Sequence, residues 1–70
     1  MSTTPADRIR TLLLRADNVL KNEGEQADRT RRARLALEEA RELALHPSVD
    51  PRVRELVERR LAGLDDLTAE

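Results

Sequence analysis

Residues 28–47 read DRTRRARLALEEARELALHP, four arginines within six positions followed by a run rich in alanine and glutamate. Each residue of an α-helix turns about 100° from the one before, and on that wheel Ala33, Ala36, Leu37, Ala40, Leu43 and Ala44 gather on one face. No proline or glycine interrupts the segment. The pattern predicts one long helix from Glu25 or Gln26 to Leu45 or His46, ended by Pro47. Alanines on its packed face let neighbouring helices approach closely, which suits a tight antiparallel hairpin.

The flanks carry equally specific signals. Thr4-Pro5-Ala6-Asp7 offers a hydroxyl cap, a proline at the first helical position and a carboxylate three residues after the cap. Ile9, Leu12, Leu13, Ala16, Val19 and Leu20 then recur at spacings of three and four, so a first helix is expected over about 5–22, closed near Gly24. After the turn HPSVD, Asp50-Pro51 repeats the cap-then-proline device. The third helix is expected over about 51–67, with Val53, Leu56, Val57, Leu64 and Leu67 inward and Leu61 at the flank. Gly63 weakens its last turns by up to about 1 kcal/mol relative to alanine. No alternating strand pattern occurs. The expected fold is all-α: a compact antiparallel three-helix domain formed by residues 1–70 as one unit, with 1–3 and 68–70 frayed.

Composition narrows the class. Seventy residues without Phe, Tyr or Trp must build a core from leucine, isoleucine, valine and alanine, which bury less area than aromatic rings. A second copy or a partner would supply what the core lacks. Cysteine is absent, which excludes disulfides, zinc-thiolate sites and thiol nucleophiles. The opening MSTTPADRIR lacks the order of a leader peptide, and the apolar runs fall far short of the roughly 20 residues that span a bilayer. A soluble, cytoplasmic protein is expected. The net charge of −1 conceals a split: residues 1–34 hold eight basic and five acidic side chains, residues 35–70 five basic and nine acidic. One half of the chain could attract the other half of a neighbouring copy.

Ala33, Leu37 and Ala40 also have the spacing of the second helix of a tetratricopeptide repeat, a small residue, a large apolar one four later and a small one three after that. The chain resembles a single such helical hairpin over residues 5–46 followed by a capping-type helix. It departs from the family in two places: Pro47 comes two residues after the position the family favours, and Lys21 stands where a small residue belongs, the nearest being Ala16. The resemblance implies a scaffold that presents helical surface to partner chains. It assigns no contact residues.

Side chains capable of chemistry do not converge. His46 is the only histidine, placed at a helix C-terminus where an imidazole can sit beside unsatisfied carbonyls; Asp50, four residues on, serves as a cap. Glu38-Glu39 and Asp65-Asp66 are helical neighbours that point about 100° apart, not toward one site. The two glycines rule out a glycine-rich phosphate loop. No enzyme, cofactor, metal or small-molecule substrate is expected.

Arg29, Arg31, Arg32 and Arg34 wrap their helix instead of forming a stripe, and acids lie in reach: Glu25 of Arg29, Asp28 of Arg32, Glu38 of Arg34. Each such pair contributes about 0.2–0.5 kcal/mol. With a near-neutral chain and no aromatic platform, phosphate-backbone binding through residues 29–34 is the alternative function and not the first one. A membrane surface is not an expected partner, because the apolar face of the first helix is needed for the core. Leu14 lies about 140° from Ile9 and Leu35 about 160° from Ala33, each turned away from its helix's packed face. Leu14, Leu35, Arg31 and Arg34 are therefore the candidate contact residues of a non-catalytic protein–protein interaction module or small adaptor, self-associating through its first two helices or binding another protein.

Overall fold

Capping chemistry fixes where the helices start. The computed structural model describes residues 4–22 and 24–68, with side chains through Asp66. Helix α1 spans Pro5–Lys21, and the Asp7 amide donates to the Thr4 hydroxyl at 3.1 Å. Helix α2 spans Gln26–Ala44 and helix α3 Pro51–Thr68. The Asp50 carboxylate accepts the Arg52 amide at 2.8 Å, so both threonine-proline and aspartate-proline pairs act as starts. Among the described residues there is no strand.

The helix ends differ from expectation by small steps with local causes. α2 stops at Ala44, short of Leu45 or His46, because the Leu45 and His46 amides bond back three residues, to Glu42 and Leu43, and tighten the last turn. α1 closes at Asn22, whose amide bonds to the Asn18 and Val19 carbonyls. Gly24 follows with a φ of 140°, a backbone region that side chains disfavour, so glycine is needed there although it is not itself the cap. Glu23, residues 1–3 and residues 69–70, where fraying was expected, lie outside the described residues, while α3 runs on to Thr68.

α2 is the central element: α1 and α3 both pack along it, and they meet each other far less extensively, across a groove and the Arg60–Asp17 ion pair. The α2 face that meets them is Ala33, Ala36, Leu37, Ala40 and Ala44, all buried. α1 contributes Ile9, Leu12 and Ala16, and α3 contributes Val57, Leu61 and Leu64. Leu13, Leu20, Leu43 and Val53 are partly buried against this core, and Val19 is half-buried.

Three placements correct or extend the inward set. Leu56 is 39% exposed, because α3 turns only a narrow face toward α2 and leaves the neighbouring arc facing a groove. Leu61, expected at the flank, is buried because the inward face of α3 is centred on Val57, Leu61 and Leu64, rotated away from Leu56. Val49 is buried from within the turn, where its amide bonds to the His46 carbonyl and folds the loop back on the core. Leu67 as an inward residue falls on a side chain outside the described ones. Among the described residues Thr30 is the buried polar one; its hydroxyl donates to the Gln26 carbonyl at 2.8 Å, which removes the cost of burying it.

The resulting shape is a slab. Its backbone measures 36 × 25 × 13 Å with a radius of gyration of 12.4 Å, against about 11 Å for a rounder chain of this length. Its accessible surface is 5336 Å², about a fifth more than the ~4450 Å² usual for a folded monomer of this mass. Small aliphatic side chains in a thin layer leave apolar surface in contact with water.

Candidate functional site

The arginine run is largely consumed by the fold. The Arg29 guanidinium donates to the Leu20 and Asn22 carbonyls, both at 3.0 Å, and so ties the start of α2 to the end of α1. These are carbonyls that a helix end leaves without internal partners, and a cation there also complements the helix dipole. Arg29 Nε is buried with no partner among the described residues. Arg34 reaches across to Asp65 on α3 at 2.6 Å, not along its own helix to Glu38. Arg31 and Arg32 share the Asp28 carboxylate at 2.6 and 3.2 Å. Of the three acid pairings expected within the helix, Asp28 with Arg32 forms, while Arg29 and Arg34 take partners on other elements.

Two further ion pairs bind the slab together, Arg8 to Glu39 between α1 and α2 and Arg60 to Asp17 between α3 and α1. Both are at least a third exposed, so each contributes a fraction of a kcal/mol and mainly fixes helix register.

His46 is exposed, and its Nδ1 accepts the Ser48 amide at 3.1 Å with the Ser48 hydroxyl at 2.8 Å. It shapes the turn before α3 instead of capping α2's carbonyls. Among the described residues no three metal-ligating side chains cluster, and no helix is long and apolar enough to cross a membrane.

What the surface does offer is apolar relief on several sides. Leu35 is 62% exposed and lines a shallow groove of about 280 Å³ between α1 and α2 with Leu12, Arg15, Val19, Arg32 and Glu39. Leu14, 57% exposed, is not among the residues lining that groove. A second groove of about 320 Å³ opens between α1 and α3, lined by Ala6, Ile9, Arg10, Leu13, Val53 and Leu56. Its single polar side chain is Arg10, so it has no convergent set of groups to orient a small molecule. Sequence periodicity placed Leu13, Val53 and Leu56 inward; Leu13 and Val53 do pack against the core while Leu56 is exposed, and the missing signal was how little α1 and α3 meet, a tertiary fact. Leu45, 61% exposed, joins Leu35 on the outer side of α2.

No family model matches the chain, and neither a curated protein nor a solved structure does.

Proposed function

We propose that this protein is a non-catalytic protein–protein interaction module that docks helical surface on another chain. The observation that carries the reading is the α1–α3 groove, apolar on both walls and open to water in a molecule with no aromatic core to spare. Exposed leucines at positions 14, 35, 45 and 56 add apolar contact area. Dispersed polar groups, with His46 engaged by Ser48, support binding over catalysis. A hairpin whose second helix also carries a third is compatible with the tetratricopeptide-like architecture, which belongs to this proposal.

Phosphate-backbone binding is disfavoured by the same geometry. Arg29, Arg31, Arg32 and Arg34 each hold a carbonyl or carboxylate of their own chain, and a phosphate would have to displace it.

The test compares the full wild-type chain with Leu56→Glu and Leu35→Glu variants, each checked for retained helical circular dichroism. Immobilised on beads and exposed to an extract of the source cell and to free copies of itself, the wild type is expected to retain a protein that at least one variant loses. Identical retention by all three, with none self-associating, refutes the reading.

A further inference from the structure

The two faces of the slab are chemically complementary, and this deepens the interaction-module reading by naming the partner. On one face, Arg10 lines the α1–α3 groove. Arg52 lies four residues before Leu56 and Arg59 three after it, so both share the α3 face that borders the groove. All three arginines are exposed, and none has an ion-pair partner among the described residues. Asp17 and Arg60 nearby neutralise each other, and exposed Asp7 and Glu55 lie within one turn of Arg10 and of Arg52 and Arg59, so the rim is positive on balance, three arginines against two acids.

The opposite face is the outer side of α2. Leu35, Glu38, Glu42 and Leu45 follow at spacings of three, four and three, within an arc of about 80° that points roughly 160° away from Ala33, Ala40 and the rest of the buried seam. The two leucines are 62% and 61% exposed. Glu38 and Glu42 are exposed and have no ion-pair partner among the described residues, since Arg34 is committed to Asp65. Arg31, on the same face, is already matched by Asp28. The ridge therefore carries two exposed leucines and two carboxylates over about 15 Å of helix, with exposed Arg41 at its flank.

We infer that the occupant of the α1–α3 groove is the outer face of α2 from a second copy of this chain. Leu35 and Leu45 extend the apolar lining of Leu13, Val53 and Leu56, while Glu38 and Glu42 meet the arginines at the rim. Pairing groove to groove would instead oppose arginine with arginine. Because α1 and α3 both lie on the inner side of α2, ridge and groove of one molecule cannot meet, and every copy keeps one free surface of each kind. The association is heterologous, building a ring or a filament and not a closed dimer.

Mixing complementary variants tests this directly. Leu56→Glu spoils the groove and leaves the ridge; Leu35→Lys/Leu45→Lys spoils the ridge and leaves the groove. In analytical ultracentrifugation, the wild type is expected to grow beyond a dimer as concentration rises from the micromolar to the millimolar range. Each variant alone stays monomeric, and an equimolar mixture forms a 1:1 pair and nothing larger. Arg10→Glu/Arg52→Glu and Glu38→Arg/Glu42→Arg, which alter only exposed side chains, give a second test should a leucine variant lose its helicity: each alone stays monomeric, and their mixture again grows beyond a dimer, because both contacts between unlike molecules pair opposite charges. A wild type that stays monomeric throughout, one that stops at a dimer, or variants whose mixture does not associate overturns the inference. A monomeric wild type that still captures a different protein through Leu56 defeats self-association alone and leaves the interaction-module reading standing.

Discussion

Replacing Arg29 and Arg31 in turn separates an arginine that holds the fold from one that only decorates it. Arg29→Met keeps most of the aliphatic stem and deletes two guanidinium hydrogen bonds, to Leu20 O and Asn22 O, at 3.0 Å each. A hydrogen bond with a charged partner contributes about 1.5–3 kcal/mol when removal strands the other group. Here one of the two carbonyls is part-buried and the other exposed, and water can recover much of the exposed one. The expected loss is about 2 kcal/mol. Arg31→Met deletes an ion pair with Asp28 whose arginine is 73% exposed, which predicts a change under about 0.5 kcal/mol. Urea unfolding followed by circular dichroism measures both. In a domain of this size, whose whole stability is roughly 3.5–10 kcal/mol, the first change shifts the midpoint plainly and the second hardly at all. Equal effects, or a larger one for Arg31, would refute the assignment of Arg29 as the clasp between α1 and α2.

Other substitutions probe the core and α3. Leu37→Ala empties a site that is 2% exposed at the heart of the alanine seam and is expected to cost about 2–5 kcal/mol, enough to leave a large unfolded fraction in a thermal melt. Gly63→Ala meets nothing within 4 Å of the added Cβ and should raise stability by up to about 1 kcal/mol through helix propensity, visible as a higher melting temperature.

The helices were legible because their signals are local. Thr4-Pro5 and Asp50-Pro51 announce starts within four residues, and Ala33, Leu37 and Ala40 mark a packed face by periodicity alone. The candidate site was less so. Arg34 had Glu38 one turn away in sequence, yet it bonds to Asp65, which only the approach of α3 supplies. Arg29 found carbonyls at the end of α1, and a backbone acceptor leaves no mark in a residue pattern. Leu56 had the spacing of a core residue, but a three-helix layer in which α1 and α3 scarcely touch cannot close over every inward position. Val49 lies in a turn and belongs to no periodicity at all, so its burial follows from how HPSVD folds back. Leu14 and Leu35 were correctly read as exposed, while the groove beside Leu56, the apolar feature on which the functional proposal rests, emerges only from the packing.

That packing, with α2 in the middle and the α1–α3 side left open, is what creates the apolar groove beside Leu56. Methyl nuclear Overhauser spectroscopy on the full chain, with alanine, leucine, isoleucine and valine methyls labelled, measures it most directly. The alanine methyls of the α2 seam should contact side chains of both α1 and α3, and the Leu13 methyls should contact Val53 or Leu56 while Leu56 remains accessible to a soluble paramagnetic probe. Seam alanines that contact only one neighbouring helix, or a Leu56 shielded from the probe in the monomer, would contradict the account.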